Sequence, residues 1–405
     1  MLSLGIDTHE NAHQAEVQNN NEIVLWSGRI MNNRSGLESL VEKIHVLEES
    51  NGDKVIGIFV NPTANYHLPV KHFLEKNGFT VYCVDTRVAK NMRGVENLGK
   101  EKSDPEDAHI LASTPWKSKK YLERKGHERD PLSEITRLRK IVSNNITRIK
   151  NFIWADISAI FPEFGTMFSL DSVTALMIQE KYTTPENFSA ASVKDLQADM
   201  NIESRNHTKD GSAEKVHALA LESIGIPDIE DAYATRIRIN VKRLRQEIDT
   251  LSELDKEIIK RSENNQTVAY LSDIRGMGKV NSASIVSEIG RIEQFDSALK
   301  LQSYGGKCPD MEGSGGKAFP RGVTKIRNAY LSNAVHESAV SLVKHMSGEF
   351  YELFLREKEK GKNNNAAYIA VGKRLLYHTY SIMKNKKPYR ERRPTERGRI
   401  ASTGI

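Results

Sequence analysis

Apolar residues change their spacing twice along this chain of 405 residues. In residues 1–115 they form short continuous runs separated by amphipathic stretches. The runs at 2–7, 22–26, 55–60 and 79–84 predict strands, the second following the polar turn Asn19-Asn20-Asn21. Residues 36–47 place Leu37, Leu40, Val41, Ile44 and Leu47 on one side of a helix. Residues 66–77 predict a second helix, stopped by Gly78. Strands alternating with helices argue for an α/β layered unit.

From 131 to 161 the period becomes helical, with Ile135, Leu138, Val142, Ile146, Ile149 and Ile153 recurring at three- and four-residue steps until Pro162. A second such series, Ile237, Val241, Leu244, Ile248, Leu251 and Ile258, has a heptad seam. Such a seam predicts either an antiparallel hairpin or an intermolecular coiled coil. Residues 171–230, between the two, are polar and without clear period, and 201–211 read as a loop. A third unit runs over 269–384. It opens on Gly276-Met277-Gly278 ahead of an amphipathic helix, a helix-hairpin-helix-like pattern. Glycines there let backbone N–H groups approach a phosphate, although a tight turn without ligand has the same composition. The expected organisation is α/β plus all-α: a first domain over 1–125, a helical coiled-coil region over 126–265, a C-terminal domain over 266–384 and a basic tail over 385–405.

Charge sharpens this picture. Lys and Arg total 59 against 53 Asp and Glu, a net charge of +6. A modest basic excess suits a polyanionic partner without proving one. Its distribution says more. Arg87, Lys90, Arg93 and Lys102 crowd one segment, and Lys386, Lys387, Arg390, Arg392, Arg393, Arg397 and Arg399 crowd the tail, which reads as disordered when free. The two cysteines, Cys83 and Cys308, stand far apart and outside any zinc-ligand spacing. A reducing, cytoplasmic setting fits them. No apolar run reaches the ~18 residues of a membrane span.

Two places carry chemistry. An apolar strand ending in Asp7, with Asp104 and Asp107 far downstream, resembles the first strand and closing helix of a ribonuclease-H-like fold. Helix positions three apart share a face, so Asp7, Asp104 and Asp107 can converge on one hard cation such as Mg²⁺. Taken alone, Asp104-Pro105-Glu106-Asp107 is also a good helix start, with Asp104 as cap. The second place is the loop-like Cys308–Lys317 stretch, where Ser314 stands among three glycines. It reads either as a flexible surface loop or as an exposed nucleophile. Lys317, Arg321, Lys325 and Arg327 follow closely enough to neutralise a phosphate.

Taken together, the motifs resemble the insertion-sequence 110 family of transposases, which includes relatives of the Piv-type invertases. They are Gly5-Ile6-Asp7, Pro62-Thr63-Ala64-Asn65-Tyr66, Lys102-Ser103-Asp104-Pro105-Glu106-Asp107-Ala108, Arg275-Gly276-Met277-Gly278, residues 289–295, Tyr304-Gly305-Gly306-Lys307-Cys308-Pro309 and Ser314-Gly315. The resemblance implies a RuvC-like N-terminal domain with an acidic Mg²⁺ site and a C-terminal domain that supplies a serine nucleophile. It further implies strand exchange on double-stranded DNA near the nucleoid, directed by a non-coding bridge RNA. Active sites would be shared between subunits of a dimer or tetramer, with the heptad seam as the oligomer contact. Asp7, Asp104 and Asp107 then take metal and Ser314 takes the phosphate. Three positions depart from the pattern. Asn61 occupies the place of the family's second acid, as an uncharged metal ligand. Arg327 replaces a glycine after Lys325, and Ser332 replaces an arginine in the next helix. These departures support a second reading, a nucleic-acid-binding derivative with impaired chemistry, and the acids alone leave a third, a metal-dependent junction nuclease that needs no serine.

Overall fold

The computed structural model describes residues 1–62, 64–84, 92, 103–117, 130–169, 172–204, 209, 211–226, 229–314, 317–323 and 327–390. The chain divides into two compact units, 1–128 and 129–405.

The first unit is a mixed five-stranded sheet with helices. Its strands are β1 (Leu2–Asp7), β2 (Ala12–Asn19), β3 (Val24–Met31), β4 (Val55–Val60) and β5 (Val81–Cys83). Their order across the sheet is β3-β2-β1-β4-β5. β1 is antiparallel to β2 and parallel to β4, and β5 is parallel to β4. Such an order is consistent with a RuvC-like domain. Two helices, α1 (Arg34–Asn51) and α2 (His67–Lys76), connect into the parallel half. α1 starts where the Asn33 side chain accepts from the Gly36 N–H, and it ends at Gly52, whose φ of 67° is left-handed. β1 shows the period-2 rule directly. Leu2, Leu4 and Ile6 point into the core with Leu40, Ile44, Val70 and Leu74. Ser3, Gly5 and Asp7 face the opposite side, against α3 (Asp104–Lys117).

β2 was not legible as a strand, and the expected strand at 22–26 is displaced to Val24–Met31. The reason is chemical. The α3-facing side of β2 carries Gln14, Glu16 and Gln18, paired across from Asp7, Gly5 and Ser3. A buried polar face hides the strand from a hydrophobic pattern. Gln18 donates to Glu16 at 2.8 Å, and His109 of α3 lies 2.7 Å from the same carboxylate. That hydrogen bond holds the His109 imidazole above its usual range.

The second unit is built on a long antiparallel pair, α4 (Leu132–Ile160) and α10 (Glu230–Ser262). Arg139 pairs with Asp255, Asn145 donates to Glu247, and Arg236 reaches Asp156, so one index falls as the other rises. Ile237, Val241, Leu244 and Ile258 are fully buried within the chain. These four seam residues are thus covered within the chain, the first three beside α4 and the short helices and Ile258 in the C-terminal core, while Ile248 and Leu251 are half-buried.

The described residues between 172 and 230 are largely helical rather than irregular, and the expected loop at 201–211 is helical as far as Ser204. They contribute α6 (Val173–Ile178), α7 (Pro185–Ala190), α8 (Val193–Ser204) and α9 (Ser212–Leu221), which follow the single turn α5 (Phe164–Met167). These short helices pack with one end of the long pair around Phe161, Phe164, Tyr182 and Phe188. Each helix is too short for a periodic signal, and the core rests on a few aromatics.

At the other end of the pair, a second core unites Ile258 with the C-terminal helices. These are α11 (Gln266–Ser272), α12 (Lys279–Ile289), α13 (Ala298–Tyr304), α14 (Ala329–Lys344), α15 (Gly348–Glu359) and α16 (Asn364–Asn385). Between α13 and α14 runs an antiparallel ribbon, β6 (Pro309–Ser314) and β7 (Lys317–Val323). The turn before α12 is held by packing. Gly276 has φ 89°, its carbonyl accepts from the Ser341 hydroxyl at 2.7 Å, and a β-carbon there would press on α14. The start of the tail is docked through Tyr389, which donates to Glu349 at 2.7 Å and stacks near Phe350. Residues 391–405 lie outside the described part. Among the described residues, no helix is long and apolar enough to cross a membrane.

Candidate active site

Gly5 sets the geometry of the first unit. A β-carbon on it would stand 2.2 Å from the Ala108 carbonyl oxygen and 2.3 Å from the Ala112 nitrogen. Only a glycine lets α3 lie flush on β1. The Ser3 hydroxyl locks the contact by donating to the Ala112 carbonyl at 2.6 Å. The first turn of α3 is thereby brought to the end of β1.

Asp7 is 3% exposed there, and Asp107 is 5% exposed on the first turn of α3. Asp104 is open to solvent. Its role is not that of a cap, because the Asp107 N–H already bonds the Ser103 carbonyl and Asp104 lies inside the helix. Its carboxylate turns to His9 instead. His9 Nε2 lies 2.9 Å from Asp7 Oδ2 and 3.4 Å from Asp104 Oδ1. These three donors all lie within 4.8 Å of one another. Asn61, at the end of β4, directs Nδ2 at Asp7 Oδ1 across 3.4 Å. Its own Oδ1 is buried with no hydrogen-bond partner. Thr8 donates to the Asn61 carbonyl at 2.9 Å and fixes the two strand ends together.

Sequence reasoning missed His9. The signal available was its place two residues after Asp7, just beyond the strand. Its backbone N–H donates to His13 Nδ1 at 3.2 Å. Burial pushes the His13 imidazole below its usual range, which keeps that nitrogen an acceptor. The donor set fits a divalent cation: carboxylate oxygens on two elements, an imidazole nitrogen, and a buried amide oxygen lacking a partner.

In the second unit Ser314 ends β6 in register with Lys317 of β7. The expected loop is a two-stranded ribbon with the serine beside its tip. Ser314, Lys317 and Arg321 are placed by their backbone, and their side chains lie outside the described part. Arg87, Lys90, Arg93, Lys102 and Lys325 also lie outside it. Lys279 is exposed on the first turn of α12.

The ribbon's base is tied down by buried polar groups. Asn328 accepts from the Leu331 N–H and donates to Glu288 at 2.6 Å and to the Tyr304 hydroxyl at 2.8 Å. Glu288, 1% exposed, also takes both arms of the Arg137 guanidinium, at 2.5 and 2.8 Å. Arg327 is exposed and lies across Gly306, which has φ 64°. Beside it Lys307 is 5% exposed, and its ammonium donates to the Ser332 carbonyl at 3.1 Å. Burial, helped by the Arg327 charge, lowers the Lys307 pKa to about 8.

A family model for DEDD transposases of the IS110 type, described as Transposase, matches residues 4–162. A second, described as Transposase IS116/IS110/IS902 family, matches residues 268–354. The chain belongs to the IS110 family of transposases. The first match covers the acid-bearing sheet and runs on through α4, and the second covers the stretch that contains the serine ribbon. Relatives agree with them. This transposase is 21% identical, over 96% of its length and 95% of the relative's, to a mini-circle protein of Streptomyces coelicolor named as the transposase for IS117. It is 27% identical over 159 residues to the pilin gene-inverting proteins of Moraxella bovis and Moraxella lacunata, covering 37% of this chain and 48% of each.

Proposed function

We propose that this transposase exchanges DNA strands through a serine-linked intermediate, with Asp7, Asp104 and Asp107 holding Mg²⁺ or a similar divalent cation. The observation that carries this reading is the convergence of Asp7 and Asp104 at the point where Gly5 lets α3 meet β1. A bound cation would supply charge neutralisation at the scissile phosphate. Asp7, fixed at a strand end, and Asp104 with Asp107, on the first turn of α3, would hold that cation. The Ser314 oxygen bonds to phosphorus and gives up its proton, while the displaced strand leaves as a hydroxyl. A hydroxyl of the partner strand then attacks the phosphoserine and releases Ser314. One phosphodiester is exchanged for another, so no outside energy source is needed. Arg327, with Lys317, Arg321 and Lys325, neutralises the strand near the serine, and Lys279 with Arg87, Lys90, Arg93 and Lys102 adds backbone contacts. The partners are double-stranded DNA, a non-coding guide RNA and further copies of this chain, as a dimer or tetramer.

The test is a trapping experiment. Purified protein, a divalent cation, the flanking non-coding RNA and labelled element-end DNA are incubated and resolved on a denaturing gel. A protein–DNA adduct absent from Ser314→Ala is expected. Cleavage that survives Ser314→Ala without any adduct would establish a junction nuclease using the acids alone. One observation favours a second reading, a nucleic-acid-binding derivative: Asn61 puts an uncharged amide beside Asp7. Tight DNA or RNA binding with neither adduct nor cleavage would establish it.

A further inference from the structure

His9 stands where a ligand of the cation would stand. Donors held at about 2.1 Å by one small divalent cation are ~3.0 Å apart when adjacent in an octahedron and ~3.4 Å apart in a tetrahedron. His9 Nε2 lies 2.9 Å from Asp7 Oδ2 and 3.4 Å from Asp104 Oδ1. The two edges that meet at His9 already have the lengths of a coordination shell, and all three donors lie within 4.8 Å of one another. A single N–H shared between two carboxylates uses this arrangement poorly, whereas a cation uses all three donors. The second observation is independent. The Asn61 amide nitrogen faces Asp7 Oδ1 at 3.4 Å while its oxygen is buried without a hydrogen-bond partner, so turning the amide over presents that oxygen to a cation beside Asp7.

We propose that His9 is itself a metal ligand, completing with Asp7, Asp104 and Asn61 a mixed nitrogen–oxygen site that prefers Mn²⁺ to Mg²⁺. Mg²⁺ takes oxygen donors, while imidazole suits later first-row ions. Asn61 contributes no charge, so the site has given up electrostatic attraction and gained a softer donor. Two features anchor His9. Its main chain is held by His13, and its side chain remains 42% exposed, open to an ion arriving from solvent. The proposal rests on the reading that Asp7 and Asp104 bind metal, and its test separates the two.

The full chain is loaded with Mn²⁺ and studied by pulsed electron paramagnetic resonance, with Mn²⁺ and Mg²⁺ affinities measured by calorimetry for wild type, His9→Ala and Asp7→Asn. The expected result is an imidazole nitrogen-14 coupling in wild type that disappears in His9→Ala. Mn²⁺ affinity should fall at least about tenfold in that variant, since even outer partners of a metal site contribute tenfold or more. Mg²⁺ affinity should change far less. Nitrogen coupling absent from wild type, or surviving His9→Ala among the chain's 12 histidines, would overturn the assignment. If binding still vanished in Asp7→Asn, the acidic site would stand without His9. Binding indifferent to Asp7→Asn would overturn both.

Discussion

The Gly5 α-carbon faces the Ala108 carbonyl so closely that a β-carbon would sit 2.2 Å from its oxygen. Gly5→Ala is therefore expected to push α3 off β1. Overpacking of this kind destabilises by roughly 1–3 kcal/mol. The distinguishing effect is on the site, because α3 carries Asp104 and Asp107. Thermal unfolding should show a lowered midpoint, and calorimetry a divalent-cation affinity reduced even at temperatures where the fold persists.

Asn61→Glu adds a carboxylate beside Asp7 and removes the Nδ2 contact with it. An added acid raises attraction for a hard cation and adds repulsion in its absence. The variant is expected to bind Mg²⁺ more tightly than wild type and to unfold at lower temperature without metal. Paired calorimetry and melting curves, with and without Mg²⁺, check both signs.

The Arg137–Glu288–Asn328 network links the long helical pair to the residue that starts α14. Removing one member leaves a buried charge without its partner. Arg137→Met is expected to destabilise by about 3–5 kcal/mol. Chemical denaturation monitored by circular dichroism measures this directly. Glu288→Gln, which keeps an acceptor for Asn328, should be milder.

Lys307 gives a pH prediction with a definite sign. Its pKa falls on folding from the ordinary 10.5 to about 8. Between those values the unfolded chain holds a proton that the folded chain has lost, so this group's contribution to stability rises with pH across that window. At pH 7 both states are charged and the burial penalty is fully present. Lys307→Met should therefore be more stable than wild type at pH 7, by roughly 1–3 kcal/mol. The difference should shrink towards pH 10.5. Denaturant midpoints of the two proteins at pH 7 and 10 decide it.

The residues differ in how openly they announce their places. β1 and β4 are read from apolar runs because their core faces carry Leu2, Leu4, Ile58 and Val60. The long helices follow from their periodicity. β2 is not visible in the same way, because Glu16 and Gln18 bond to each other and to His109 inside the fold. A pattern of apolar residues cannot report a polar face whose partners come from 91 and 93 residues away. The meeting of Asp7 with Asp104 was legible from position and spacing, while Asp107 falls outside the cluster that these two form with His9. The place of His9 beside them was not legible, because that contact depends on Asp104 turning away from a cap. The hairpin seam was legible, but its partner was not. Heptad spacing specifies that a stripe is covered and says nothing about which chain covers it.

With Ile237, Val241, Leu244 and Ile258 covered inside their own chain, closure of the helical pair is a first-order event. Its midpoint is expected to carry no dependence on protein concentration. These four positions are finished as a single chain folds, so the brace between the two cores of the second unit is one that each chain makes for itself.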